Sequence, residues 1–278
     1  MLTGNRLLLD FTIFIYASSL TLFFWDTVAP KRGMNRAALL LLFLVFSGET
    51  AFLLKRLFAF HAAPLYTRFD TLLLVSWLVL LVTLVVDAFF RVGLLVFFAN
   101  VIAFGFVVFD SFAPLEVGET VHEQADLLLL HVGFAVLGYV CFTLAFAFAG
   151  MYLLQNMLLL QKRWNRWYLG LPSLADLERF SHRSTLIGFP LLMVSMVLGF
   201  VWGRLVYHHW IWLDVKPILT FLNWVCYGVY LWLYHSSSWS RSNLMKWNVA
   251  CFVFLLVNFF VGSDFSTYHP WTSTGILG

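Results

Sequence analysis

The chain has 278 residues, of which 62% are hydrophobic, 19% aromatic and 11% charged. Soluble domains carry roughly 45–50% apolar and about 25% charged residues, so this composition excludes a water-soluble fold and requires an integral membrane protein. The formal net charge of +3 is too small to point to a nucleic-acid partner.

A bilayer core of about 30 Å takes about 20 mostly apolar residues in a helix. The apolar runs here are continuous rather than alternating, which predicts helices and argues against a β-barrel. The first run, Leu7–Trp25, lacks a small-residue cleavage site before the basic "PKRGMNR", so it is expected to stay as a span. Ala37–Leu54 follows and carries Glu49, an ionisable group whose cost at membrane depth suggests a function, while its place near the end of the run equally lets it snorkel to the interface. Thr71–Asp87 and Val92–Phe109 come next, and then the acidic loop "DSFAPLEVGETVHEQAD". Asp10, Asp87 and Asn100 read as boundary or packing residues.

The fifth run, Leu127–Leu160, is longer than one crossing needs: at about 1.5 Å per residue it measures roughly 50 Å and must tilt or protrude. In "LPSLADLERFSHRS", Ser173 and Asp176 fit a helix-start cap, and Leu174, Leu177 and Phe180 recur on one face. That pattern predicts a short amphipathic helix on the membrane interface, from Ser173 to about His182. Leu186–Val206, Ile218–Tyr234 and Trp247–Val261 complete eight expected spans. The fold expected is an all-α, polytopic membrane bundle, with residues 1–278 as one membrane domain.

Lys and Arg set the expected orientation. With the N-terminus outside, the inner loops hold Lys31, Arg32, Arg36, Arg91, Lys162, Arg163, Arg166, Arg179, Arg183, Arg241 and Lys246, eleven of the 17 basic residues. The positive-inside rule then places both termini outside. Cys141, Cys226 and Cys251 lie inside apolar runs with no C-x-x-C or metal-type spacing, so they read as small buried hydrophobes.

On this orientation His131, His208, His209 and His269 fall on the outer side, with His61 and His122 in outer loops, and His182 and His235 on the inner side. Between the sixth and seventh spans stands "WGRLVYHHWIWLDVKP". Imidazoles can bind haem iron axially, aromatic rings suit the flat porphyrin, and basic groups suit its propionates. Trp202, Trp210 and Trp212 could cover the ring, and Arg204 and Lys216 could meet carboxylates. A belt of interfacial Trp and Tyr that only anchors the bundle gives the same pattern. Nothing resembles a Walker loop, a Ser-His-Asp set or a metalloprotease motif, and no catalytic activity is expected.

Three segments, "LLLLHVGFAVLGYVCFTLAFAFAGMYLLQ", "LPSLADLERFSHRSTLIGFPLL" and "WIWLDVKPILTFLNWVCYGVYLW", follow one another as in the cytochrome c assembly superfamily. The chain resembles that superfamily over residues 127–269, with a weaker likeness in "FHAAPLYTRFDTLLLVSW". The resemblance implies an outward haem b site under a Trp-rich loop, with His131 and His269 as the matching axial pair and His209 in reserve. The loop corresponds to Trp202–Lys216, where Trp210, Trp212, Asp214 and Lys216 keep parts of the pattern. Two departures stand out. The assembly proteins carry a fuller Trp run ending in Asp-Pro-Lys-Glu, and a His at the inner end of the next span, where Trp232 stands here with His235 three residues later.

These departures, the length and the "FSTYHPW" ending are similar to the HemX group of that superfamily. Such a likeness implies a protein of the bacterial cell membrane that modulates haem biosynthesis by lowering the level of glutamyl-tRNA reductase, a cytoplasmic partner. The alternatives are a haem transporter or haem-handling subunit of cytochrome c assembly, in the manner of CcsA, and a cofactor-free membrane scaffold.

Overall fold

A computed structural model describes residues 2–29, 31, 33–60, 68–90, 93–112, 125–162, 171–208, 214–236, 239–262 and 265–266. Among these residues the chain forms eight α-helices: α1 (Leu2–Val28), α2 (Met34–Phe60), α3 (Arg68–Phe90), α4 (Gly93–Ser111), α5 (Ala125–Leu160), α6 (Leu174–Tyr207), α7 (Val215–Ser236) and α8 (Arg241–Val257). A π-helical turn, Asn258–Gly262, extends α8. The helices coincide with the eight apolar runs, and six of them are long and apolar enough to cross a membrane. The protein is an all-α, multi-pass membrane bundle. Of the other two, α4 is apolar but shorter, and α7 is interrupted by polar residues such as Lys216, Asn223 and His235.

Two compact units are present: residues 1–116 with 150–180, and residues 117–149 with 181–278. In the first, α1 packs on α2 and α4, and α3 on α2 and α4, which closes a four-helix ring. Gly33 sits at φ 90°, a conformation that side chains resist, and lets the chain reverse between α1 and α2. The ring's core is apolar around Leu9, Phe52, Leu53, Leu73 and Val107. Polar bonds cross it as well. Tyr16 donates to Asn100 Oδ1 at 2.8 Å, Asn100 Nδ2 donates to Thr83 at 2.9 Å, and Trp77 Nε1 donates to Thr50 at 2.8 Å. Lipid offers apolar side chains no reason to leave it, so such bonds and close packing do much of the joining.

Of the two readings of Glu49 the buried one holds: α2 continues to Phe60, and Glu49 is buried with its Oε1 accepting from Ser76 at 2.9 Å. One expectation is corrected. The segment from Ser173 to His182 is not a separate interfacial helix. Its cap forms as expected, with the Asp176 N–H donating to Ser173 Oγ at 3.2 Å. The helix it starts then runs unbroken through Pro190 to Tyr207. Membrane helices accept an internal Pro because neighbouring groups re-satisfy the freed backbone. Leu177 is fully buried whereas Phe180 is exposed, so the one-face stripe is divided by packing.

The second unit holds the start of α5, α6 from Ser181, α7 and α8. Positions 181, 185, 188, 192, 195, 199 and 202 of α6 alternate steps of four and three, a heptad seam occupied mostly by small residues (Ser, Thr, Gly, Leu, Ser, Gly, Trp). Along it Ser181 donates to the Ala145 carbonyl at 3.0 Å, and Gly188 lies against Cys141 and Phe142. Gly138 of α5 meets the α6 backbone, where an added Cβ would stand 3.5 Å from Leu192 N. Buried Asn side chains join the remaining helices: Asn248 donates to Thr185 at 2.9 Å and Asn223 to the Cys251 carbonyl at 2.9 Å. Phe142 stacks on Tyr227, with ring centroids 4.0 Å apart.

Candidate functional site

At the far end of the α5–α6 seam stands His131, partly buried. Its Nδ1 lies 2.6 Å from the Ser195 backbone oxygen. A carbonyl only accepts, so Nδ1 carries the hydrogen, and in the neutral ring Nε2 keeps the lone pair. Ser195 Oγ in turn donates to the His131 carbonyl at 2.9 Å. One turn later Gly199 lies flat against the imidazole: a Cβ there would stand 2.6 Å from Cε1 and 2.8 Å from Nδ1. Two α6 positions, Ser195 and Gly199, therefore fix the tautomer and seat the ring of a single His on α5.

Trp202 is the next residue of the same seam. It is buried and meets Tyr207 edge-on at 5.8 Å. His208 ends the helix in the left-handed region at φ 58°, the usual way to turn a chain off a helix terminus. Arg204 is exposed on α6. Beyond the Trp-rich segment, Asp214 is buried and accepts a short hydrogen bond from Ser266, which stands three residues before His269. Lys216, in the first turn of α7, holds its Nζ 5.8 Å from the centre of the Phe259 ring, and Phe259 meets Tyr139 of α5 edge-on at 5.8 Å. Asp214 and Lys216 thus tie the start of α7 to Ser266 and Phe259. His209, Trp210, Trp212 and His269 lie outside the described residues.

The residues described suit an iron porphyrin in one specific respect. His131 is held by Nδ1 to a backbone carbonyl, an arrangement that orients metal-binding imidazoles. At the other end of α6, His182 stacks on Tyr234 at 3.6 Å and meets His235 edge-on at 5.7 Å. Trp232, at the position of the family's inner His, is exposed.

Residues 65–268 match the family described as Cytochrome C assembly protein. Over 268 residues the chain is 37% identical to Protein HemX of Brevibacillus brevis, covering 96% of this chain and 98% of that one. The chain belongs to the HemX proteins of the cytochrome c assembly family. It is also 31% identical to Protein HemX of Bacillus subtilis, over 94% of this chain and 96% of the relative. A more distant relative is the cytochrome c biogenesis protein CcsA of Cyanidium caldarium, 22% identical over 82% of this chain and 88% of its own. The solved cytochrome c haem lyase CcmF superposes with a TM-score of 0.66 over 94% of this chain at 18% identity, a likeness of fold. This HemX-family chain spans 46% of the length of that structure.

Ser195 and Gly199 were not among the residues that sequence reasoning marked. The small-residue heptad of α6 was the available signal, because a Gly and a Ser one turn apart on a packed face mark where a neighbour comes close. The consequence is testable. Gly199→Ala should push the His131 ring off the Ser195 carbonyl and weaken haem binding by about 10–100-fold, as loss of an outer-shell partner does. Ser195→Ala keeps the carbonyl and should weaken it far less. Haem titration of the two purified variants checks the contrast.

Proposed function

We propose that this protein binds haem b on the side of the bundle that carries His131 and modulates haem biosynthesis, without catalytic activity of its own. The observation that carries the reading is the seated His131, with Nδ1 bonded to Ser195 O and the ring held against Gly199. His269 supplies the second axial nitrogen, with His209 as the alternate. Trp210 and Trp212 cover the ring, and Lys216 or Arg204 meets a propionate. The Asp214–Ser266 bond joins the end of the Trp-rich segment to a residue three positions before His269. Haem with both axial positions filled offers no open coordination site, so it is held or sensed rather than used to activate oxygen.

The test has two parts. Purified protein supplied with haem should show a six-coordinate, low-spin Soret spectrum, and deleting the gene should raise the level of glutamyl-tRNA reductase. Absence of both would remove the reading. The likeness to CcsA favours a second one, haem handling for cytochrome c assembly; loss of c-type cytochromes on deletion with an unchanged reductase level would select it. Haem-free protein with a raised reductase level would leave only a membrane scaffold.

The site faces outward, with both termini outside, and the inner basic loops face the reductase. What supports this is the distribution of Lys and Arg. In intact cells, a membrane-impermeant thiol reagent should label Gly118→Cys and spare Asn165→Cys, each in a background lacking the native Cys. The reverse pattern would move the site to the cytoplasmic face.

A further inference from the structure

The four-helix ring of α1–α4 contains a polar column that the haem site does not use. Glu49 is 1% exposed, deep in a helix that is long and apolar enough to cross the membrane. Ser76 donates to its Oε1 at 2.9 Å, and its Oε2 is buried with no partner among the described residues. Among the described residues the ion pairs are Arg56–Asp70 and Arg179–Asp176, and none includes Glu49. A carboxylate left with one donor and no counter-charge at this depth is under-compensated. A hydrogen on Oε2 completes it.

Other polar bonds cross the ring: Tyr16 bonds to Asn100 and Asn100 to Thr83, at 2.8 and 2.9 Å. Ser76 and Thr83 are two helical turns apart on one face of α3, and buried Asp87 stands one turn further on. From Asp70 to Asp87 the buried polar groups cover about 25 Å along α3, close to the thickness of the hydrocarbon core. The other buried charged and titratable groups of the ring are Tyr16 on α1, Arg56 on α2 and Asp70 and Asp87 on α3, while α4 contributes the polar Asn100.

We propose that Glu49 is a proton-binding site within the membrane, the proton resting on Oε2 while Oε1 accepts from Ser76. Binding a proton there would change the charge at the centre of the four-helix ring, the place where helix packing depends on polar bonds.

The experiment is infrared difference spectroscopy of the full chain in lipid, without added haem, at neutral pH. Wild type should show a protonated-carboxyl carbonyl band that shifts when H2O is exchanged for D2O. Glu49→Gln should lose it, and Asp10→Asn, an exposed position on α1, should keep it. A spectrum with no Glu49-dependent band would overturn the proposal. If Glu49→Gln does not fold, treatment of wild type with dicyclohexylcarbodiimide decides. Protonated carboxyls in apolar surroundings take this reagent, so peptide mapping must find the adduct on Glu49. A label confined to other carboxyls would sink the proposal.

Discussion

His131→Ala should abolish the six-coordinate, low-spin Soret spectrum of the haem-loaded protein and leave a five-coordinate, high-spin one. Loss of an outer-shell partner already weakens a metal site by about 10–100-fold, so loss of the ligand itself should cost more. His269→Ala should behave in the same way from the opposite face of the ring. Added imidazole should restore the low-spin form in either variant, because it refills the vacated position without rebuilding the protein. His208→Ala is the control. His208 is exposed at the turn that leaves α6, and its replacement should leave the spectrum unchanged. If both His131→Ala and His269→Ala retain the wild-type spectrum, the aromatic segment is an interfacial anchor, and the seating of His131 is packing alone.

The second large effect is expected far from that site. Arg56 and Asp70 form a buried pair between α2 and α3, with Nη2 donating to Oδ2 at 3.1 Å and Nε beside Oδ1. Asp70→Ala would leave a guanidinium buried without its counter-charge, which costs about 3–5 kcal/mol. Replacing both residues together, Arg56→Met with Asp70→Leu, should cost much less, because no unpaired charge then remains. The exposed pair Arg179–Asp176 gives the contrast, since its side chains are 57% and 44% accessible. Breaking it should change stability by about 0.5 kcal/mol or less. Apparent Tm values in one detergent at one scan rate check all three. A drop for Asp70→Ala no larger than for Asp176→Ala would show that the buried pair is stabilised by water or lipid headgroups instead.

Much of the architecture is legible in the order of apolar residues. Each of the eight runs became a helix because a continuous apolar stretch in lipid must satisfy its backbone internally. The long fifth run and the Ser173–Asp176 helix start were visible for the same kind of reason: length and capping are local properties. The short amphipathic helix was misread because its apolar spacing is also the spacing of a helix start. Nothing local told that the turns after His182 would carry straight on through Pro190. Glu49 was placed near a boundary because hydropathy falls at Lys55 and Arg56. Arg56 is in fact neutralised by Asp70 of the next helix, so α2 stays helical past it.

The aromatic and histidine content of the Trp202–Pro217 segment needed only the sequence, because it is a matter of residue identity and order. Which nitrogen of His131 bears its hydrogen did not. That depends on a carbonyl brought to 2.6 Å from a helix sixty-four positions along the chain. Gly199 matters for the same reason: its missing Cβ has meaning only once α5 lies against α6. Composition and periodicity determine which segments enter the membrane. Contacts between distant segments decide which buried polar atoms are satisfied and which are left to a ligand, because hydrogen bonding at ångström range is set by the packing of helices and not by their order.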